Sequence, residues 1–197
     1  MGNCTARPTD IGDVGGKRTC VVDLVYPARP EGELTEPRTL PLSPLDSALC
    51  VRGLVVYWAF MYAHELDPAL LRAALAAALA EFPVLAGRAR VKTRHAVRVD
   101  LEVVLNDKGV PFTTCESSTT LEDLTGPEKT GAITGRNNLT PPEFLTPIGG
   151  VRAESGRDAL MAVKLTRLNK GGCVVGVREQ RNPCRYWAEN AGQERRA

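Results

Sequence analysis

Leu42-Ser43-Pro44-Leu45-Asp46, an apolar run from Val51 to Tyr62, a segment from Asp67 to Phe82, and then Pro83-Val84-Leu85-Ala86-Gly87-Arg88 decide the fold of this chain. The third piece predicts a helix. Asp67 can cap free amides at its start, and Pro68 suits the first helical position, where its missing N–H has no partner to lose. Leu71, Leu75, Ala78, Leu79 and Phe82 recur at three- and four-residue spacing and form one apolar stripe. The alanines between them favour the helix, and Pro83 stops it. Such a stripe describes a core helix packed on a sheet, with no direct part in chemistry.

Around this centre the chain reads as strands. Thr19 to Tyr26 is rich in β-formers and ends at Pro27. Ala28 to Pro44, with its prolines and scattered charges, reads as a long surface connection. Leu49 to Tyr62 reads as a mostly buried strand, with Gly53 marking a bulge. Arg88 to Val91 and Val97 to Val103 follow as two more. In the second, Val97, Val99, Leu101 and Val103 alternate with Arg98, Asp100 and Glu102, the pattern of a half-exposed strand.

Asp107-Lys108-Gly109 supplies a turn before a strand from Val110 to Glu116, and Thr120 to Leu124 fits a single helical turn. Residues 125–158 lack periodicity and read as a long loop. Two last strands, Ala159–Leu168 and Cys173–Arg178, flank the turn Asn169-Lys170-Gly171-Gly172. The expected total is about six strands, one long helix and one or two short ones. Its class is α/β, a mixed sheet with packed helices.

Composition narrows the functional classes. At 197 residues, 43% hydrophobic and 24% charged, the chain holds enough apolar material for one core. A net charge of +2 and 5% aromatic residues support neither an electrostatic footprint nor a stacking platform, so no nucleic-acid partner is expected. The cluster from Arg88 to Arg94 reads as a solvated strand face. Six cysteines stand at 4, 20, 50, 115, 173 and 184, without a C-x-x-C pair, and the histidines are His64 and His95. No metal site is expected from that set. With no signal-like start, the cysteines read as reduced thiols of a cytoplasmic protein. No apolar run reaches the ~20 residues of a spanning helix, so no membrane is expected.

Two N-terminal echoes each depart from their motif at one position. Met1-Gly2-Asn3-Cys4 looks like the start of a lipidated protein, but Ala6 stands where such a signal has Ser or Thr; whether Gly2 or Cys4 is modified stays open. Gly15-Gly16-Lys17-Arg18-Thr19 looks like a phosphate loop, yet Ile11 replaces its first glycine.

The order of the pieces resembles the BAHD family of acyl-CoA-dependent acyltransferases. Leu42 to Asp46 matches its Leu-Ser-x-x-Asp segment and Pro83 to Arg88 its Pro-x-Leu-Ala-Gly-Arg phrase. Asn106, Gly109, Val110 and Phe112 match its Asn-x-x-Gly-Val-x-Phe turn, and Leu160 to Val177 its strand–Gly-Gly–strand hairpin. The resemblance spans roughly residues 19–178. It leaves 1–18 as a loose N-terminus, 125–158 as a loop within the domain and 179–197 as an atypical tail. It implies a chloramphenicol acetyltransferase-like N-terminal domain, and acyl transfer from acyl-CoA as co-substrate to a small-molecule alcohol or amine. It implies no bound cofactor.

The family's His-x-x-x-Asp follows the second hairpin strand, and its histidine takes the acceptor's proton as general base. By that resemblance the histidine falls near Arg181 and the aspartate near Arg185, so no residue here matches the catalytic pair. Arginine stays protonated and accepts no proton. His64 reads as a turn residue and His95 as solvated. The resemblance further implies a truncated, inactive chain whose last residues, after about 178, are foreign to the fold. Exposed edges would then favour self-association. Two other readings stand beside it: a non-catalytic binding or regulatory relative of the same fold, or a condensation-type domain, whose related histidine motif is equally absent.

Overall fold

The computed structural model describes residues 20–29, 38–51, 55–94, 99–125 and 155–180. Its strands are β1 (Cys20–Val25), β2 (Arg38–Pro41), β3 (Val55–Tyr62), β4 (Arg88–Arg94), β5 (Val99–Leu105), β6 (Val110–Glu116), β7 (Ser155–Ala159), β8 (Met161–Arg167) and β9 (Cys173–Gln180). The helices are α1 (Pro44–Val51), α2 (Pro68–Glu81) and α3 (Leu121–Thr125), with a 3-10 turn at Pro83–Ala86. The strands form two sheets: a five-stranded one in the order β1-β6-β8-β9-β3 and a four-stranded one in the order β2-β5-β4-β7. Pairing is antiparallel except between β6 and β8, so the larger sheet is mixed.

Helix α2 begins as the sequence predicts, with the Asp67 side chain accepting from the Ala69 amide at 2.8 Å. Its inner stripe differs at the C-terminal end. Leu79 is fully buried, and Leu71, Leu75 and Ala76 pack on the core. Ala78 and Phe82 are exposed; the helix ends at Glu81, and Phe82 leaves it with φ −121° and ψ 69°, before the stripe completes another turn. The core beneath α2 joins Val25, Val110, Phe112, Val163, Leu165, Cys173 and Val175 from β1, β6, β8 and β9.

The run expected as one strand from Leu49 to Tyr62 is divided. Ser43 and Asp46 form a reciprocal N-terminal cap: the Ser43 hydroxyl accepts from the Asp46 amide at 3.1 Å and donates to its carboxylate at 2.7 Å. That cap starts α1 and carries Leu49 and Cys50 into a helix. The strand begins only at Val55, and Gly53 lies outside the described residues. Nor is β3 buried: it is an edge strand, with Trp58 52% and Phe60 48% exposed.

Other departures have a common cause. Arg38–Pro41, expected within a connection, pairs with β5, and Ser155–Ala159, expected within a loop, pairs with β4. Both are short edge strands whose pairing is imposed by a neighbour and leaves no periodic trace of its own. Thr125 closes α3, and residues 126–154 of the expected loop lie outside the described residues. So nine strands are described against about six expected, in two sheets where one was expected. Leu160 is the joint between sheets: β7 ends before it in the small sheet, β8 begins after it in the large one, and its side chain fills the core of Cys50, Val84, Ala89, Leu101 and Val103.

The cysteines also require correction. Cys20 and Cys115 face each other in the β1–β6 register with Cα atoms 4.4 Å apart, and they form a disulfide. Spacing of 95 residues hides this pair from a linear reading. Cys50 and Cys173 are buried thiols; Cys4 and Cys184 lie outside the described residues.

Burial first, and the nearby Asp46 carboxylate second, push the Cys50 thiol from 9.0 to about 11. The unfolded chain therefore ionises this thiol more easily than the folded one. Its contribution is whole below about pH 9 and is lost as pH rises toward 11, a fall of about 2–3 kcal/mol. Urea denaturation at neutral and alkaline pH should show this loss in the natural chain and not in Cys50→Ala. Equal alkaline losses in the two proteins would count against it.

Candidate functional site

The hairpin of β8 and β9 aims the chain toward the place where the expected motif would begin. Arg167 pairs with Cys173 and Met161 with Glu179, which leaves a five-residue turn from Leu168 to Gly172. Lys170, Gly171 and Gly172 all have positive φ, at 63°, 92° and 83°. Gly172 is required twice over, since a Cβ there would lie 2.8 Å from the Tyr62 carbonyl oxygen. The Leu168 amide donates to the Gly172 carbonyl at 3.1 Å, and the Asn169 amide to that of Thr119 at 2.9 Å, fixing the turn against the segment before α3. Register then follows along β9: Glu179 lies between Met161 and Val56, and Gln180 lies opposite Val55. β9 thus ends, at Gln180, where β3 and β8 begin.

At this end of the sheet stand Tyr57 and Arg178, paired across β3 and β9. Arg178 is buried and donates through NH2 to the Ala159 carbonyl at 2.9 Å. The Tyr57 hydroxyl is buried and makes no hydrogen bond among the described residues. Burial raises the pKa of this phenol above its usual value, and the Arg178 guanidinium opposes the shift. The two groups can orient a polar acceptor by donating hydrogen bonds. Neither takes up a proton near neutral pH. Sequence reasoning missed Tyr57 as a site residue, because an aromatic in a β-rich run looks like any core position.

His64 is placed at the wrong end. It follows β3 on an exposed loop, its ring 6.0 Å from that of Tyr62, and its carbonyl accepts from the Cys173 thiol at 3.5 Å. Cys173 begins β9, seven residue steps from Gln180, or roughly 23 Å at the rise of an extended strand. His64 therefore cannot stand in as the base. His95, Arg181 and Arg185 lie outside the described residues. Among the described residues, no three His, Cys, Asp or Glu side chains gather as a metal ion would need.

The family-like motifs prove to be packing devices. Ser47, just after the capping box, accepts from the Leu101 amide at 3.1 Å, and the Leu42 amide donates to the Leu101 carbonyl at 2.9 Å; the Leu-Ser-x-x-Asp segment thus ties α1 to β5. At Gly87 any Cβ would come within 2.7 Å of the Val104 carbonyl oxygen. The following Arg88 turns back to donate to the carbonyls of Ala86, Gly87 and Lys108. Gly109 has φ 74° and closes the β5–β6 turn against Val25 and Tyr26, and Phe112 is fully buried.

These devices define a class. The model of the Transferase family matches residues 22–180, and the chain belongs to this family of BAHD-type acyltransferases. Among solved structures, it is similar to vinorine synthase, at 22% identity and a TM-score of 0.50, over 82% of this chain and 37% of that one. It is also similar to TRI101 of F. graminearum complexed with ethyl coenzyme A, at 12% identity and a TM-score of 0.51, over 74% of this chain and 35% of that one. The same F. graminearum enzyme complexed with coenzyme A and T-2 mycotoxin matches at 13% identity and a TM-score of 0.52, over 73% and 34%. These likenesses show the fold, and the chain spans about a third of the length of those proteins. No curated protein matches it in sequence.

Proposed function

We propose that this chain is the N-terminal portion of an acyltransferase that moves an acyl group from acyl-CoA to a small alcohol or amine, and that it performs no turnover by itself. The hairpin carries the reading: its glycines fix β9 so that the strand ends at Gln180, beside the starts of β3 and β8 and just before the sequence positions at which the family's His-x-x-x-Asp would begin. The coenzyme A in the TRI101 structures, and T-2 mycotoxin in one of them, support a thioester donor and a small acceptor. In the reaction, the acceptor's oxygen or nitrogen bonds to the thioester carbonyl carbon, its proton passes to a base, and coenzyme A leaves as the thiol. Here the base is missing. Arg181 and Arg185 stand at the expected positions, and neither His64 nor His95 is followed by an aspartate four residues on.

Thiol release from acetyl- and hydroxycinnamoyl-CoA with a panel of alcohols and amines tests the proposal. The expected rate equals that of buffer, and turnover above it would overturn the claim that this chain lacks its base. A second reading, a binding or regulatory relative, is favoured by the same two arginines. Thermal stabilisation by coenzyme A without turnover is its signature. We place the protein in the cytoplasm, where the Cys20–Cys115 bond would have to stand against a reducing pool, shielded by the burial of Cys115. We also expect the chain, standing alone, to associate with itself.

A further inference from the structure

We propose that the outer edge of β3 is a self-pairing surface, where two copies of this chain join in antiparallel fashion about a two-fold axis through Ala59. The inference is independent of the acyl-transfer reading. Among the described residues β3 pairs along one side only, with β9. From Val55 to Tyr62 it carries no charge and no proline, the two features that most often stop an edge from recruiting another strand. The other edges differ. β1 carries Asp23, held by Arg72 at 2.7 Å; β2 carries Arg38 and ends in Pro41; the sequence of β7 includes Arg157 and Asp158.

Geometry picks the register. In antiparallel pairing, residues directly opposite each other share a face, so a two-fold axis must pass through a residue and not between two. Ala59 and Met61 pack on the side of Leu124, Leu168 and Val174. Tyr62 packs on the opposite side, with the α2 core, and the alternation of the strand puts Trp58 and Phe60 on that side too. An axis through Ala59 sets Trp58 opposite the second copy's Phe60, twice. It also sets Tyr57 opposite Met61 and Val56 opposite Tyr62. No other centre brings the two exposed aromatics against each other.

Charge and area argue for a second copy as the occupant. A two-fold axis makes a strand meet itself, so charges near its centre would oppose like charges; β3 has none. Half-exposed Trp58 and Phe60 from both copies offer roughly 400 Å² of aromatic side chain. With the strand backbone this stays near the low end of specific interfaces, about 1,200 Å². The association is therefore weak and dependent on concentration.

Sedimentation velocity of the 197-residue chain over a wide concentration range should show reversible dimers. Phe60→Lys should weaken them at least about tenfold while circular dichroism stays unchanged, and Leu70→Lys, on the exposed face of α2, should leave them intact. Should Phe60→Lys fail to fold, a second variant decides. In a chain with Cys4→Ser and Cys184→Ser, Ala59→Cys should oxidise to a disulfide-linked dimer, since Cα atoms opposite across such a pair lie within about 5.5 Å. Leu45→Cys, more exposed and on α1, should not. A monomer at every concentration would overturn the proposal. So would association that survives Phe60→Lys, or an Ala59→Cys chain that fails to cross-link.

Discussion

Replacing Phe112 with alanine should remove a large fraction of the chain's stability. The ring is fully buried at the centre of the α2 core, on β6 between Asp23 of β1 and Val163 of β8. Truncating a buried phenylalanine costs about 3–5 kcal/mol, against a total stability of about 5–15 kcal/mol for a domain. The ring has a second task. The Arg72 guanidinium of α2 lies 5.3 Å from its centroid and holds Asp23 at 2.7 Å, so one cation spans helix and two strands. That arrangement is the smaller part: both partners of the ion pair are about a third exposed, where such pairs contribute at most about 1 kcal/mol. Urea midpoints should therefore rank Phe112→Ala far below Arg72→Ala, with Phe112→Leu between them. A loss under 1 kcal/mol in Phe112→Ala would show that the core reorganises around the gap.

The parts of this fold that could be read from sequence were those with a local cause. Asp67-Pro68 caps α2 through neighbouring atoms, and Gly109 and Gly171-Gly172 mark turns through positive φ. The β6 strand and the β8–β9 hairpin lie close to their expected positions for the same reason. What failed to show was decided at a distance. β2 and β7 exist because β5 and β4 offer them edges, and Cys20 meets Cys115 only once β1 lies on β6. The apolar composition of Leu49–Tyr62 concealed the end of α1, because hydrophobicity outweighed a two-residue cap at Ser43 and Asp46. The exposure of Trp58 and Phe60 was equally hidden, since edge and centre strands share one composition.

The candidate site was legible in an indirect way. Every family motif quoted from the sequence serves packing: α1 to β5, the 3-10 turn into β4, the turn into β6, the bend at Gly172. They place a scaffold and identify a family. On the proposed reading the chemistry would depend on residues after Gln180, where the sequence offers Arg181 and Arg185. Tyr57 and Arg178 at the end of β9 came from structure alone, as their adjacency is a matter of β3–β9 register.

Reduction of Cys20–Cys115 should lower stability by about 2–5 kcal/mol, which for a chain of this size moves the melting temperature by roughly 5–20 °C. The cross-link joins positions 95 residues apart, so it closes a loop containing α1, α2, β2 to β5 and most of β6. Constraint on so long a loop acts on the unfolded chain and hence on global stability. A local effect competes with it. β1 is an edge strand, held at one end by buried Val25 and by the Ala28 amide donating to the Ala76 carbonyl at 2.9 Å. Its other end, at Cys20, is only half-buried, so loss of the bond could fray that end and leave the rest intact. The two effects separate by measurement. A global effect lowers the urea midpoint of the whole chain, whereas fraying speeds amide exchange from Cys20 to Val22 and leaves the midpoint unmoved. Magnitude favours the global one, because entropy of closing a loop near 100 residues amounts to about 4–5 kcal/mol. Cys20→Ser should reproduce the reduced melting curve and abolish its response to reductant, while buried Cys50 and Cys173 stay as thiols throughout. A natural chain that melts alike with and without reductant, yet is two hydrogens lighter before reduction, would refute the global account.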